Sequence, residues 1–165
     1  MPHPNQYDIS QSPFFKLKKK TKLSDLLRIS LCDLKKLIQS DNLYRETITV
    51  NKLPTENPDL IKKSRNIQIP SLALAQVQKA LLIYINKIET PSYLFSCKSG
   101  KDYIDNAKVH VNNKELLKVD IKSFFNNAAE INVYRFFKDV MQCSLDVTYF
   151  LTKIVCYKNH LPTGG

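Results

Sequence analysis

The sequence predicts an α+β fold, and three observations lead there. Apolar residues recur at helical spacing across 72–89, with Val77, Leu81, Tyr84 and Ile88 along one side. Tyr44 to Val50 and Leu116 to Ile121 carry the alternation and the β-forming residues of strands. A composition of 43% hydrophobic and 24% charged residues belongs to a chain that folds, and 165 residues are enough for one ordinary domain with a core.

The elements follow in order. Residues 1–15 are polar with scattered Pro and read as poorly ordered; 1–23 as a whole form a basic, flexible segment. Its run Lys16-Leu17-Lys18-Lys19-Lys20-Thr21-Lys22 is either a solvated face or a phosphate contact. Ser24 caps a helix through Leu26, Leu27, Ile29 and Leu31, and a further helical run holds Leu34, Leu37 and Ile38. Tyr44 to Val50 is a strand, 51–63 with Pro54 and Pro58 a loop, and Arg65 to Ile69 a second short strand closed by Pro70. The helix over 72–89 keeps its polar residues (Gln76, Lys79, Asn86, Lys87) on one narrow stripe, so it is expected to be mostly buried. Tyr93 to Ser96 reads as extended, and Lys101 to Lys108 as helical. Two more helices are expected near 130–142 (Val133, Phe136, Phe137, Val140) and 145–156 (Val147, Leu151, Ile154, Val155). Pro and Gly punctuate turns inside folds, so a sequence stopping at Leu161-Pro162-Thr163-Gly164-Gly165 reads as interrupted.

The charge balance points to a partner. Lys plus Arg is 25 against 15 acidic residues, a net +10, which favours a polyanion such as RNA or DNA. Lys-rich sequences from AT-rich genomes reach the same excess with no such role. No apolar run approaches the roughly 20 residues that cross a bilayer, and the first residues lack the plan of a signal peptide, so no membrane and a cytoplasmic site are expected. Cys32, Cys97, Cys143 and Cys156 are far apart with no C-x-x-C pair, which argues against a zinc site or a disulfide framework.

One segment carries chemistry. In a strand over Leu116 to Ile121, Leu117, Val119 and Ile121 face the core, and Asp120 points the other way beside Leu116 and Lys118. A lone Asp there is a turn or cap residue, or it is a metal ligand. Mg²⁺ takes oxygen ligands and usually one or two protein carboxylates, so one Asp is half of a two-metal phosphoryl-transfer site.

Lys118-Val119-Asp120-Ile121-Lys122-Ser123-Phe124-Phe125-Asn126 resembles the first palm motif of reverse transcriptases of the retron and group II intron kind. Cys156 to Gly164 is similar to the run into the family's L-P-Q-G-A-P-T-S, and Lys98 to His110 to its basic-x-G-x-x-I-x-x-N-A-x-x-H segment. Ser64 to Pro70 resembles the fingers R-x-I-x-x-P stretch, and Leu43 to Val50 the strand opening the retron fingers; Leu151 to Asn159 leans toward retrons. The likeness is collinear over roughly residues 24–165.

That resemblance implies a right-hand polymerase fold, with N-terminal helices and fingers over 24–110, the first part of a palm over 111–165, and truncation before the Y-x-D-D strand. It implies an RNA-directed DNA polymerase using Mg²⁺, copying a structured noncoding RNA into DNA from dNTPs, with a possible effector protein and a role in anti-phage defence. Asp120 would be the catalytic metal ligand, and Ile121 would offer its carbonyl to the second metal. Phe125 would be the steric gate against ribonucleotides, or else simple core packing, which Phe124 is expected to provide. Arg65 with Lys62 or Lys63 would hold the triphosphate, the lysines being equally readable as solvated charges. Thr163 and Gly164 would lie at the nucleotide, while Lys98, Lys101 and Asn106 would contact template backbone or brace the palm. Two departures stand out: the family's Gln is Thr163, and no Y-x-D-D motif occurs, so these residues alone are expected not to polymerise. The alternatives are a non-catalytic nucleic-acid-binding module, and a structural or effector-binding protein without a nucleic-acid role.

Overall fold

The computed structural model describes residues 6–50, 64–96 and 100–163. From its first described residues the chain is docked. Tyr7 donates its N–H to the Lys87 carbonyl at 2.8 Å and accepts from the Glu89 N–H at 2.9 Å. Phe14 is fully buried, its ring edge-on to Tyr84 with centroids 5.4 Å apart. The Lys16 N–H reaches the Met141 carbonyl at 2.8 Å, and the Leu17 carbonyl accepts from Ser144 at 3.0 Å. The flexible segment expected over 1–23 is therefore a strap from Tyr7 onward. Composition made it look loose, but Phe14 and Leu17 bury enough apolar surface to hold it.

Helix α1 (Lys20–Leu26) starts before Ser24, whose hydroxyl donates back to the Thr21 carbonyl at 2.7 Å instead of capping. The helix closes on Arg28, left-handed at φ 57, with the Ile29 N–H on the Ser24 carbonyl at 3.1 Å. The working cap is Ser30, which accepts from the Asp33 N–H at 3.0 Å and opens α2 (Leu31–Ile38). Strands β1 (Tyr44–Val50) and β2 (Ser64–Pro70) form where the alternation predicts strands, and they pair antiparallel, with Tyr44 opposite Pro70 and Glu46 opposite Gln68. The loop expected over 51–63 lies outside the described residues.

Helix α3 (Leu72–Ile85) is capped by Ser71 and buries Leu74, Val77, Ala80 and Leu81. It ends earlier than the periodicity suggested, and Leu72, Leu82 and Ile83 are exposed, so it is half-buried. Tyr93 to Ser96 is irregular rather than an extended piece, leaving a turn at Ser92 and Tyr93 that is closed by the Leu94 N–H on the Pro91 carbonyl at 3.0 Å. Helix α4 (Tyr103–Lys108) falls where expected, held by a capping box between Asp102 and Asp105. A single turn, α5 (Phe124–Asn127), precedes α6 (Glu130–Arg135), which widens into a π-helical turn at Phe136–Val140. Ser144 caps α7 (Leu145–Val155).

The strand expected over Leu116 to Ile121 does not form. Those residues are irregular, and Leu117, read as a core residue, is 88% exposed, with Val119 and Ile121 exposed beside it. The alternation is present, but a strand exists by pairing, and no described segment lies alongside to accept its backbone hydrogen bonds.

The core is built around α7. Its Val147, Phe150, Leu151 and Ile154 pack with Leu23 of α1 and Leu27 at its end, Leu34 of α2, the inner side of α3, Phe137 of the π-turn and Met141 just after it. Gln78 of α3 donates to the Tyr44 hydroxyl at 2.8 Å and the Ile154 carbonyl at 2.9 Å, satisfying an end-of-helix acceptor. Burial pushes the Tyr44 hydroxyl up to about 12. Thr148 and Thr152, also buried on α7, keep hydroxyls with no partner among the described residues. Truncating Leu151→Ala should therefore cost about 2–5 kcal/mol, whereas Thr148→Val, which removes an unpaired hydroxyl at the same shape, should be neutral or stabilising. Denaturant melts of the two variants check both signs.

Candidate nucleotide and metal site

A cleft of about 1070 Å³ opens between α3 and the segment running from Ile121 into the π-turn. Leu81, Leu82 and Ile85 line one side, Ile121, Phe124 and Phe125 another, and Leu161 and Pro162 close it. Ser123, left-handed at φ 52, turns the chain into α5. Asn127 donates its side-chain amide to the Lys122 carbonyl at 2.9 Å and holds that turn. The Phe124 and Phe125 rings meet edge to face, centroids 5.4 Å apart. Phe125 is 46% exposed, and Phe124, expected in the core, is also exposed, because both rings stand in an open cleft.

The run after α7 is fixed from two sides. Lys158 and Asn159 are both left-handed (φ 48 and 66), forming a tight turn closed by the Tyr157 N–H on the His160 carbonyl at 2.9 Å and its reciprocal at 3.1 Å. Toward α6, the Glu130 N–H donates to the Asn159 carbonyl at 2.8 Å and the Leu161 N–H to the Ala128 carbonyl at 3.0 Å. Toward the hairpin, the Tyr157 ring lies 4.8 Å from the Tyr44 ring, and Lys158 Nζ is 2.7 Å from Glu46 Oε1. Gln68 donates its N–H to the Thr163 carbonyl at 2.9 Å and accepts from the Thr163 N–H on Oε1 at 2.6 Å. The Lys158 hydrogen bond holds the Glu46 carboxyl below its usual range, and the Glu46 hydrogen bond raises the Lys158 ammonium.

No family model matches the chain. Three curated relatives do. The retron Se72 reverse transcriptase of Salmonella heidelberg (strain 579083-10) is 38% identical over 105 residues, 63% of this chain and 28% of the relative. The retron Ec86 reverse transcriptase of Escherichia coli is 29% identical over 144 residues, 87% of this chain and 43% of the relative. The retron Ec48 reverse transcriptase of Escherichia coli is 28% identical over 172 residues, 96% of this chain and 40% of the relative. The chain matches a segment of the retron reverse transcriptases. It spans 28% to 43% of the length of these relatives.

The expected site residues are brought together only in part. Ile121 and Phe125 share the cleft with Leu161 and Pro162, and Thr163 is latched to β2. Arg65 sits in β2 opposite Thr49. Asp120, one residue before the cleft lining, is exposed on an irregular stretch rather than facing out from a sheet. Lys101 and Asn106 are exposed and do not line the cleft; the Lys101 ammonium lies 5.0 Å over the Phe95 ring. In the basic run Leu17 is buried, Lys20 pairs with Asp146 at 2.8 Å, and Lys16, Lys18, Lys19 and Lys22 are exposed. Lys62, Lys63, Lys98 and Gly164 lie outside the described residues. Among the described residues no three His, Cys, Asp or Glu side chains gather as a metal set. Asp120 and the Ile121 carbonyl are a fitting part of one Mg²⁺ shell completed by phosphate and water, and do not make up a two-metal set.

The sequence does not mark Gln68 and Glu46, which are direct partners across the hairpin. Their contacts, Thr163 and Lys158, lie far along the chain, so no local pattern points to them. The Glu46–Lys158 contact also gives a pH dependence. Glu46 titrates below its ordinary value of 4.5, so its contribution is full above that pH and is lost as pH falls through the depressed value. Acid melts of the parent should lose stability in that window, and Lys158→Met should remove the acid-dependent increment, as should high salt. An acid limb unchanged by Lys158→Met would contradict the pairing.

Proposed function

We propose that this chain forms the fingers and first palm segment of an RNA-directed DNA polymerase, which copies a structured noncoding RNA into DNA and serves anti-phage defence, with an effector protein as a further partner. The observation that carries it is the convergence on one cleft of residues far apart in sequence: Ile121 and Phe125 from one motif, Leu161 and Pro162 from another. Thr163, next in line, is bonded to the strand that carries Arg65. A nucleotide site needs this juxtaposition of a metal-bearing segment, a sugar contact and a fingers cation.

In this reading Asp120 and the Ile121 carbonyl hold Mg²⁺, which neutralises charge on the reacting phosphates when bound. Arg65 and Lys63 orient the triphosphate, guanidinium being suited to bidentate phosphate contact. Thr163 and Gly164 lie along the nucleotide, and the Phe125 ring packs under its sugar. Lys98, Lys101 and Asn106 contact template backbone. The remaining carboxylates would come from a Y-x-D-D strand pairing with Leu116 to Ile121, where the alternation waits for a partner. Catalysis then rests on positioning and charge stabilisation. A second reading, a nucleic-acid-binding module without catalysis, is favoured by Thr163 in place of the family's Gln and by the single carboxylate these residues bring.

Asp120→Asn in the full-length protein separates the two. It should abolish DNA synthesis and leave RNA affinity and melting temperature nearly unchanged. Synthesis within about tenfold of the parent, less than roughly 1.4 kcal/mol of barrier, would exclude Asp120 as a ligand. Phe125→Ala should raise ribonucleotide incorporation strongly while dNTP use and stability change little, since a half-exposed ring makes little of the core. Single-nucleotide incorporation beside a melt reads this out; unchanged sugar discrimination in a folded variant excludes the gate.

A further inference from the structure

Gln68 is the buried polar side chain at the centre of the contact between the β1–β2 hairpin and the run 157–163, with 5% of its surface exposed. It stands opposite Glu46, so the two project from the same face of the hairpin. Glu46 holds Lys158 at the start of the run, and Gln68 holds Thr163 at its far end. Just before Lys158 the Tyr157 ring lies against Tyr44, and Pro162, just before Thr163, is buried.

The Gln68 contact is of an unusual kind for a side chain. Its main chain and its side chain both act on one residue, donating to the Thr163 carbonyl at 2.9 Å and accepting from the Thr163 N–H at 2.6 Å. One bond fixes a distance; two bonds, one at each end of a residue, also fix how its flanking peptides are turned. Pro162 precedes Thr163 and its ring already restricts φ. The rotations left to Leu161-Pro162-Thr163 are thus removed at Thr163 by Gln68, and at Leu161 by the bond to the Ala128 carbonyl at 3.0 Å.

We propose that Gln68 is a positioning residue for the incoming nucleotide: by clamping Thr163 to β2 it fixes the spacing between Leu161 and Pro162, which line the cleft, and the strand that carries Arg65. The inference rests on the polymerase function proposed above. A clamp of this kind acts on nucleotide affinity. It leaves the metal-bearing segment around Asp120, and therefore turnover of bound nucleotide, in place. A buried amide that merely satisfies its own hydrogen bonds would affect folding and every activity together.

The test uses Gln68→Met and Gln68→Glu in the full-length protein. Methionine keeps the length and removes the acceptor; glutamate keeps an acceptor in either protonation state. Single-nucleotide incorporation gives KM for dNTP and kcat, beside RNA affinity, melting temperature and an Asp120→Asn control. Gln68→Met should raise KM for dNTP at least fivefold with kcat within twofold, and RNA affinity and melting temperature should stay at the parental values. Gln68→Glu should restore KM to near the parent. A parental KM in Gln68→Met overturns the proposal, as does a fall of kcat, RNA affinity and melting temperature together in both variants. A parent that makes no DNA, or an Asp120→Asn variant that makes as much as the parent, overturns instead the polymerase reading beneath it, and the positioning role with it.

Discussion

Helix α7 can be buried on most of its circumference only if helices, π-turn and N-terminal strap all close on it, and that requirement organises this protein. Its inner residues Val147, Leu151 and Ile154 are fully enclosed. Its first turn is tied to the strap, since Ser144 donates its N–H to the Leu17 carbonyl at 3.0 Å and its hydroxyl to the Lys18 carbonyl at 3.0 Å. Its last turn is tied to α3 and β1 through Gln78. Burial raises the thiols that flank it, Cys143 to about 11 and Cys156 to about 12, so both are held protonated as inert packing groups.

Once α7 is fixed, the run that leaves it has a defined starting point and direction. The left-handed pair Lys158 and Asn159 reverses the chain at once, sending it back beside 128–130, at the start of α6, so that Leu161 and Pro162 reach the cleft. The β1–β2 hairpin meets this run through Tyr44, Glu46 and Gln68 on a single face. A two-stranded ribbon is marginal alone, and here it is stabilised by what its one face touches. The geometry of the cleft is thus a consequence of core packing, passed outward through one turn and three side chains.

Local patterns were readable in the sequence where local forces decide. Both strands of the hairpin, α4 and α7 lie close to where spacing and residue type put them. The first helix was misplaced because Ser24 and Ser30 both look like caps, and only the second has an acidic residue, Asp33, three positions on to complete the turn. Leu116 to Ile121 was misread for a different reason: its alternation is correct for a strand, but pairing is supplied from elsewhere in a chain, and no described segment supplies it. Phe14 and Gln68 were invisible for the same reason in reverse. Each is fixed by partners far along the chain, Tyr84 in one case and Thr163 in the other, which no short window contains.

On the proposed function, β2, the segment 121–129 and the run 157–163 form one nucleotide site. Amide hydrogen exchange of the full-length protein, with and without Mg²⁺ and a dNTP in the presence of RNA, tests it directly. Protection should rise together at 66–70, 121–129 and 157–163 on adding nucleotide, while α4 stays unchanged. Protection that appears elsewhere and leaves these three segments at their nucleotide-free rates would contradict the account.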